Sequence, residues 1–202
     1  ANMNENRNFW RGPLVRLRPV EQADIDAEPT EPDTENDRLI GSIDFPLSRE
    51  ANREPDLEHA KQIGKDDYLF LLIENLDGQT VGFIHSHDCV RRNGTFKYAL
   101  GIDYQFWGRG YGRAAVMIFL RYFFRELGYQ KCTTPIYSFN ERSIRFHESI
   151  GFRFEGRIRN MIYTNGEYFD ELYFGLTKAE WDVIEPPLAL KRCVARSEEM
   201  PS

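Results

Sequence analysis

Apolar and polar residues alternate at Val15, Arg16, Leu17 and Arg18, the two-residue period of a half-exposed strand, and Pro19 ends it. Two apolar runs follow at residues 68–74 and 81–90, and the turn residues between them, 75–78, predict a hairpin. Asn93-Gly94 is the strongest turn signal in the chain and leads into a further strand over 95–104. From Gly110 the period changes. Val116, Leu120, Phe123, Phe124 and Leu127 recur at helical spacing, with Gly128 as the stop, while Arg113, Arg121 and Arg125 mark another, solvated face. Residues 129–137 read as a strand and 141–150 as a helix, and 152–162 pairs with 167–176 through Thr164-Asn165-Gly166. A strand–helix–strand crossover after a run of hairpins predicts an α/β (α+β) domain, with a mixed, mostly antiparallel central sheet and helices on both faces.

Composition narrows the class. A chain of 202 residues that is 41% hydrophobic forms one well-buried domain more readily than two small ones. No apolar run has the length of a bilayer span, and the first residues lack a signal peptide's apolar core, so the expectation is a cytoplasmic protein without membrane contact. Cys89, Cys132 and Cys193 are odd in number and widely spaced, which fits neither a disulfide framework nor a Cys-x-x-Cys zinc site. The net charge of −6 argues against a nucleic-acid partner. Between residues 21 and 37 lie eight acids and no base, with Pro29 and Pro32 preventing a long helix. The Glu185-Pro186-Pro187 segment and the polar end after it read as a tail over 183–202.

Candidate chemistry centres on Gln105-Phe-Trp-Gly108-Arg109-Gly110-Tyr111-Gly112-Arg113, where three alternate glycines stand between a strand and a helix. Glycine lets the backbone approach an anion and take positive φ, and free amides at a helix N-terminus favour negative charge. That predicts a phosphate cradle. A Walker loop is excluded because Gly112 is followed by Arg113-Ala114 rather than Lys-Ser/Thr. The dinucleotide fingerprint is excluded by the Gly-x-Gly-x-Gly spacing and because Glu126 falls inside the helix.

The segment Gln105, Gly108, Gly110 resembles motif A of the GCN5-related N-acetyltransferase (GNAT) superfamily. The block Asn140-Glu-Arg-Ser143-Ile-Arg-Phe146-His147-Glu148-Ser-Ile-Gly151-Phe152 is similar to that family's second motif. The opening Gly12-Pro-Leu-Val-Arg16-Leu-Arg18-Pro and the final hairpin resemble the ribosomal-protein and polyamine acetyltransferase branch, so the likeness covers residues 10–182. It implies a GNAT-like domain over 10–182 that moves an acetyl group from acetyl-CoA to a primary amine by direct attack. The acceptor class is a small amine, a polyamine or a protein N-terminus, no metal is needed, and a homodimer is the family expectation. The alternative is a non-catalytic acetyl-CoA-binding module.

The resemblance places the CoA diphosphate on the backbone amides of Gly108, Arg109, Gly110, Tyr111, Gly112 and Arg113, with Arg109 or Arg113 adding charge. The strand end at Ile102 and Tyr104 is expected to splay from the next strand and lend backbone groups to the pantetheine. Asn140 is expected either to bond that arm or to cap the helix, and Ser138 with Glu141 satisfies a capping box. His147 stands where many relatives carry the Tyr that protonates the thiolate; it either donates a proton or packs beside Ile144. Tyr137 and Ser138 are substitutes for that role. His87, Tyr98 or a water held by Asp103 are candidate bases. His85, His87 and Cys89 share one strand face by spacing, but the outer two are about 13 Å apart, too far for one ion. Asp170-Glu171 either meets the acceptor or is surface charge, and surface charge is favoured. The acidic segment at 21–37 is a candidate for gathering a cationic acceptor.

Overall fold

The computed structural model describes residues 8–26, 34–41, 43 and 65–186. Its centre is a seven-stranded sheet in the order β1-β2-β3-β4-β5-β7-β6. The strands are β1 (Val15–Pro19), β2 (Phe70–Asn75), β3 (Thr80–Val90), β4 (Thr95–Ile102), β5 (Lys131–Tyr137), β6 (Arg153–Thr164) and β7 (Glu167–Thr177). The helices are α1 (Gln22–Asp26), α2 (Thr34–Ile40), α3 (Tyr111–Arg121), α4 (Glu141–Ile150) and α5 (Lys178–Ile184). The β4/β5 neighbours are parallel and all other neighbours antiparallel. A mixed sheet in an α/β domain is what the pattern predicts.

One sheet face carries the core. Leu71, Ile73, Ile84, Phe96, Tyr98, Cys132, Phe174 and Leu176 are buried with Ala115, Val116, Ile118, Phe119 and Leu120 of α3. Tyr98 touches both Phe119 of α3 and His147 of α4, and Trp181 of α5 packs on Phe124, so these three helices share that face. By strand alternation Phe70, Phe83, His85, His87, Lys97, Tyr137, Glu171 and Tyr173 belong to the opposite face.

Three sequence expectations shift. The strand over 95–104 stops at Ile102, and Tyr104–Phe106 forms a short 3-10 turn. The helix from residue 111 ends in a π turn at Tyr122–Glu126, where the Leu127 amide donates to Tyr122 and buries the adjacent Phe123 and Phe124 together. The arginine face is not simply solvated. Arg121 bonds Glu185, and Arg125 bonds Asp182 and the Glu185 carbonyl, because α5 docks there. The helix α5 ends at Ile184 and is capped at its start by Thr177 and Glu180 in a reciprocal box. Cys193 lies outside the described residues, as do Glu28, Glu31 and Asp33 of the acidic segment.

Candidate active site

The parallel pair β4/β5 is joined over only three positions, Thr95 to Lys97 against Lys131 to Thr133. Beyond Lys97 the two strands part. That leaves one edge of β4, through Ile102, without a strand partner among the described residues. Each strand then leads into a helix, so the N-termini of α3 and α4 both lie at the carboxyl end of the split. In open parallel sheets this is where ligands bind, and both helix dipoles favour negative charge there.

The glycine loop is shaped for close approach. Gly108 and Gly110 have φ of +75° and +82°, a conformation that costs other residues dearly, and Gly110 is the N-cap of α3. Nothing lies within 4 Å of the place a Cβ would take at Gly108. The first intrahelical bond runs from the Ala114 amide to the Gly110 carbonyl, which leaves the Tyr111, Gly112 and Arg113 amides ahead of the ladder. Gly112 serves another purpose. Its φ is ordinary, and a Cβ there would meet Leu100, Ile102 and Phe146 at 3.4–3.7 Å, so it seats the helix on the strand and beside α4.

The loop is braced by its own residues. The Trp107 indole donates to the Ile102 carbonyl at 2.6 Å and the Trp107 amide to Tyr104, so those two carbonyls are already engaged. Gln105 accepts from Arg109 through its carbonyl at 3.2 Å, and Arg113 donates to the Ser149 carbonyl at 3.0 Å. Asn140 is the N-cap of α4. Its oxygen accepts from the Ser143 amide at 3.0 Å and its nitrogen donates to the Leu39 carbonyl at 2.9 Å. The box expected between Ser138 and Glu141 is not made, because the Ser138 hydroxyl instead accepts from the Asp170 amide.

Residues 15–153 match the family model described as an acetyltransferase (GNAT) domain. The SPbeta prophage-derived uncharacterized N-acetyltransferase YokL of Bacillus subtilis (strain 168) is 39% identical over 175 residues, which cover 87% of this chain and 96% of that one. The chain belongs to the GNAT acetyltransferase family. A GCN5-related N-acetyltransferase structure from Brucella melitensis superposes with a TM-score of 0.70 at 25% identity, covering 87% and 80% of the two chains. A variant of the spermidine N-acetyltransferase SpeG from Vibrio cholerae shares the fold at a TM-score of 0.68 and 19% identity, covering 83% and 95%. The acetyltransferase fold is therefore present from β1 onward.

The three catalytic candidates are not brought to one point. His147 is buried among Tyr98, Phe146 and Phe152 on the helix side of the sheet. Its Nδ1 donates to the Ser143 carbonyl at 2.7 Å, and its Nε2 has no hydrogen-bond partner among the described residues. Burial pulls its pKa down from 6.5 to about 4, so the ring is neutral at neutral pH and its only proton is tied to Ser143. This is the packing environment rather than that of a donor aimed at a leaving group. Tyr98, another candidate base, is buried on the same side, with its hydroxyl unpartnered among the described residues.

His87 and Tyr137 lie on the opposite face. His87 pairs with Lys97 at the closed end of the split and stands 3.6 Å from Asp88. Burial is the main cause that lowers its pKa, Lys97 adds to that, and Asp88 opposes it. Tyr137 ends β5 at the open end, four residues beyond Thr133, which is about 13 Å along a strand. A single reacting atom does not reach both. Burial raises the Tyr137 pKa, helped by the Glu171 charge, and Glu171 itself accepts from Tyr173 at 2.8 Å.

Two further readings change. Cys89 does not share the face of His85 and His87. Asp88 takes φ of +48° and the β3/β4 register shifts there, which turns Cys89 toward Ser86 and the Asp67 carbonyl on the core side. Asp170 is not surface charge. It is 7% exposed, bonds Arg157, and accepts from the Asn160 amide at 2.9 Å, locking the irregular pairing of β6. Sequence reasoning passed over Trp107 and Arg142, which stack on each other at the mouth of the split. Their place in the two motifs was visible in the sequence, their contact was not.

Proposed function

We propose that this GNAT domain takes its acetyl group from acetyl-CoA and delivers it to a primary amine by direct attack, the acceptor being a small amine, a polyamine or a protein N-terminus. The observation that carries the reading is the widening β4/β5 split, with positive-φ glycines and unladdered α3 amides at its mouth. The open space at Gly108 and the dipole of α3 suit a diphosphate, and the unpaired edge of β4 suits an extended amide-bearing arm, which would bond it much as a neighbouring strand does. Acetyl-CoA brings the activated thioester, whose thiol has a pKa near 8.5 and so departs with little protonation.

The chain's own residues then have two tasks. The first is to hold: amides of Tyr111, Gly112 and Arg113 with the guanidinium groups of Arg109 and Arg113 fix the anionic end. The second is to neutralise the acceptor, because an amine with a pKa near 10.4 is mostly charged at neutral pH and unable to attack. His87 is half-buried at the closed end of the split and burial favours its neutral form, so with the reacting carbon beside Tyr137 it takes the acceptor's proton through a solvent relay rather than by direct contact. Tyr137 stands at the open end, where a phenol helps the departing thiolate.

Thiol release measured against a panel of diamines, polyamines and peptides with free N-termini tests this, alongside calorimetric binding of acetyl-CoA. Turnover with at least one amine is expected. Tight binding with no turnover across the panel would favour the non-catalytic module, and absence of binding would overturn the cofactor reading itself.

A further inference from the structure

Arg142 extends the cofactor reading and rests on it. Several arginines elsewhere in the described residues find carboxylates: Arg18 has Asp24 and Glu74, Arg121 has Glu185, and Arg125 has Asp182. At the mouth of the split none does. Among the described residues Arg109 and Arg113 bond only the Gln105 carbonyl and Ser149, so no carboxylate there compensates their charges. Arg142 makes no hydrogen bond or ion pair among the described residues. Its nearest acid in sequence, Glu141, is paired with Arg145 at 2.9 Å.

Arg142 is nevertheless held in place. The carbon at the centre of its guanidinium lies 3.4 Å from the centroid of the Trp107 ring, a face-on contact. Trp107 is itself fixed by its indole bond to Ile102. Stacking occupies a face of the guanidinium plane but leaves its N–H groups, which lie in that plane, free to donate. Partial burial lowers the Arg142 pKa, and no carboxylate pushes it back. A planar cation positioned without a counter-ion, one residue before Gly108 through Trp107 and within the first turn of α4, is built to receive a forked anion.

We propose that Arg142, laid flat on Trp107, is the ion partner of a phosphate of CoA. The group is either the diphosphate seated on the glycine loop or the 3′-phosphate of the adenosine beyond it. Both offer the same paired oxygens.

Calorimetry on the full chain at several salt concentrations, with CoA and with 3′-dephospho-CoA, decides the matter. Arg142→Gln is expected to weaken CoA binding about 10- to 100-fold and to flatten its salt dependence, with Arg142→Lys recovering part of the loss. A loss seen with CoA alone assigns the 3′-phosphate, and an equal loss with both ligands assigns the diphosphate. Binding of both ligands within twofold of the parent, in a variant with an unchanged circular dichroism spectrum, overturns the proposal. So does a loss that leaves the salt dependence intact, since that marks Arg142 as a mere brace for Trp107. A parent protein that binds neither ligand removes the cofactor reading, and this inference with it.

Discussion

Gly110 and Gly112 look alike in the sequence and differ in what they do. Gly110 has positive φ, and a Cβ there would meet Leu14 at 3.3 Å, whereas a Cβ at Gly112 would make only ordinary contacts. Gly110→Val should therefore raise the acetyl-CoA dissociation constant by about tenfold or more, because a β-branched residue strains at that φ and obstructs the anion. Gly112→Ala should stay within about threefold, since its amide survives. Titration calorimetry on both variants separates the roles, and equal losses would show the cradle assignment to be wrong. His147 makes a second residue-level prediction. The unfolded chain binds its proton near pH 6.5 and the folded chain only near 4, so the unfolded state holds more protons in that window. The stability its neutral form supplies is complete above pH 6.5 and is lost as pH falls toward 4, by about 3 kcal/mol at most. Urea titrations from pH 7 to pH 4 should show that slope shrinking in His147→Phe, and an identical slope would place the pH sensitivity elsewhere.

At the level of elements, the hydrophobic period located β1 to β5, β7, α3 and α4 because each presents an apolar face to a shared core, while the mostly exposed β6 was placed by its turn with β7. The period missed α1, α2 and α5, which have five to seven residues, too few for a convincing period, though Thr177-x-x-Glu180 is a capping signal before α5. It also took Arg121 and Arg125 as a solvated face, because a partner some sixty residues away has no local trace. Arg125 reaches both the Asp182 side chain and the Glu185 carbonyl, so Arg125→Ala should cost about 1–3 kcal/mol in denaturant unfolding by releasing α5 from the π turn. An unchanged midpoint would mean that Trp181, fully buried against Phe124, holds the helix alone.

For the whole molecule the acidic segment matters most. Its described acids are partly neutralised by bases from outside it: Arg18 bonds Asp24 and pulls its pKa down, and Arg38 bonds Glu35. If the segment gathers a cationic acceptor, as its charge suggests, that role falls to the other acids. Neutralising Glu28, Glu31 and Asp33 together should raise KM for a polyamine and flatten its salt dependence, with acetyl-CoA binding unaltered, because such fields are screened over about 8–10 Å near physiological salt. A kcat/KM indifferent to both salt and the triple change would leave the segment no part in substrate choice. The sequence by itself determined the family, the order of the strands with α3 and α4, and the position of the glycine loop, since periodicity, turn residues and glycine spacing are local properties. Only the tertiary structure decided which side of the sheet each polar residue faces. The bulge at Asp88 turns Cys89 away from His87, packing buries His147 as a neutral ring, and the crossover brings Arg142 onto Trp107. Those outcomes depend on contacts between segments distant in the chain, and on register shifts that no local pattern encodes.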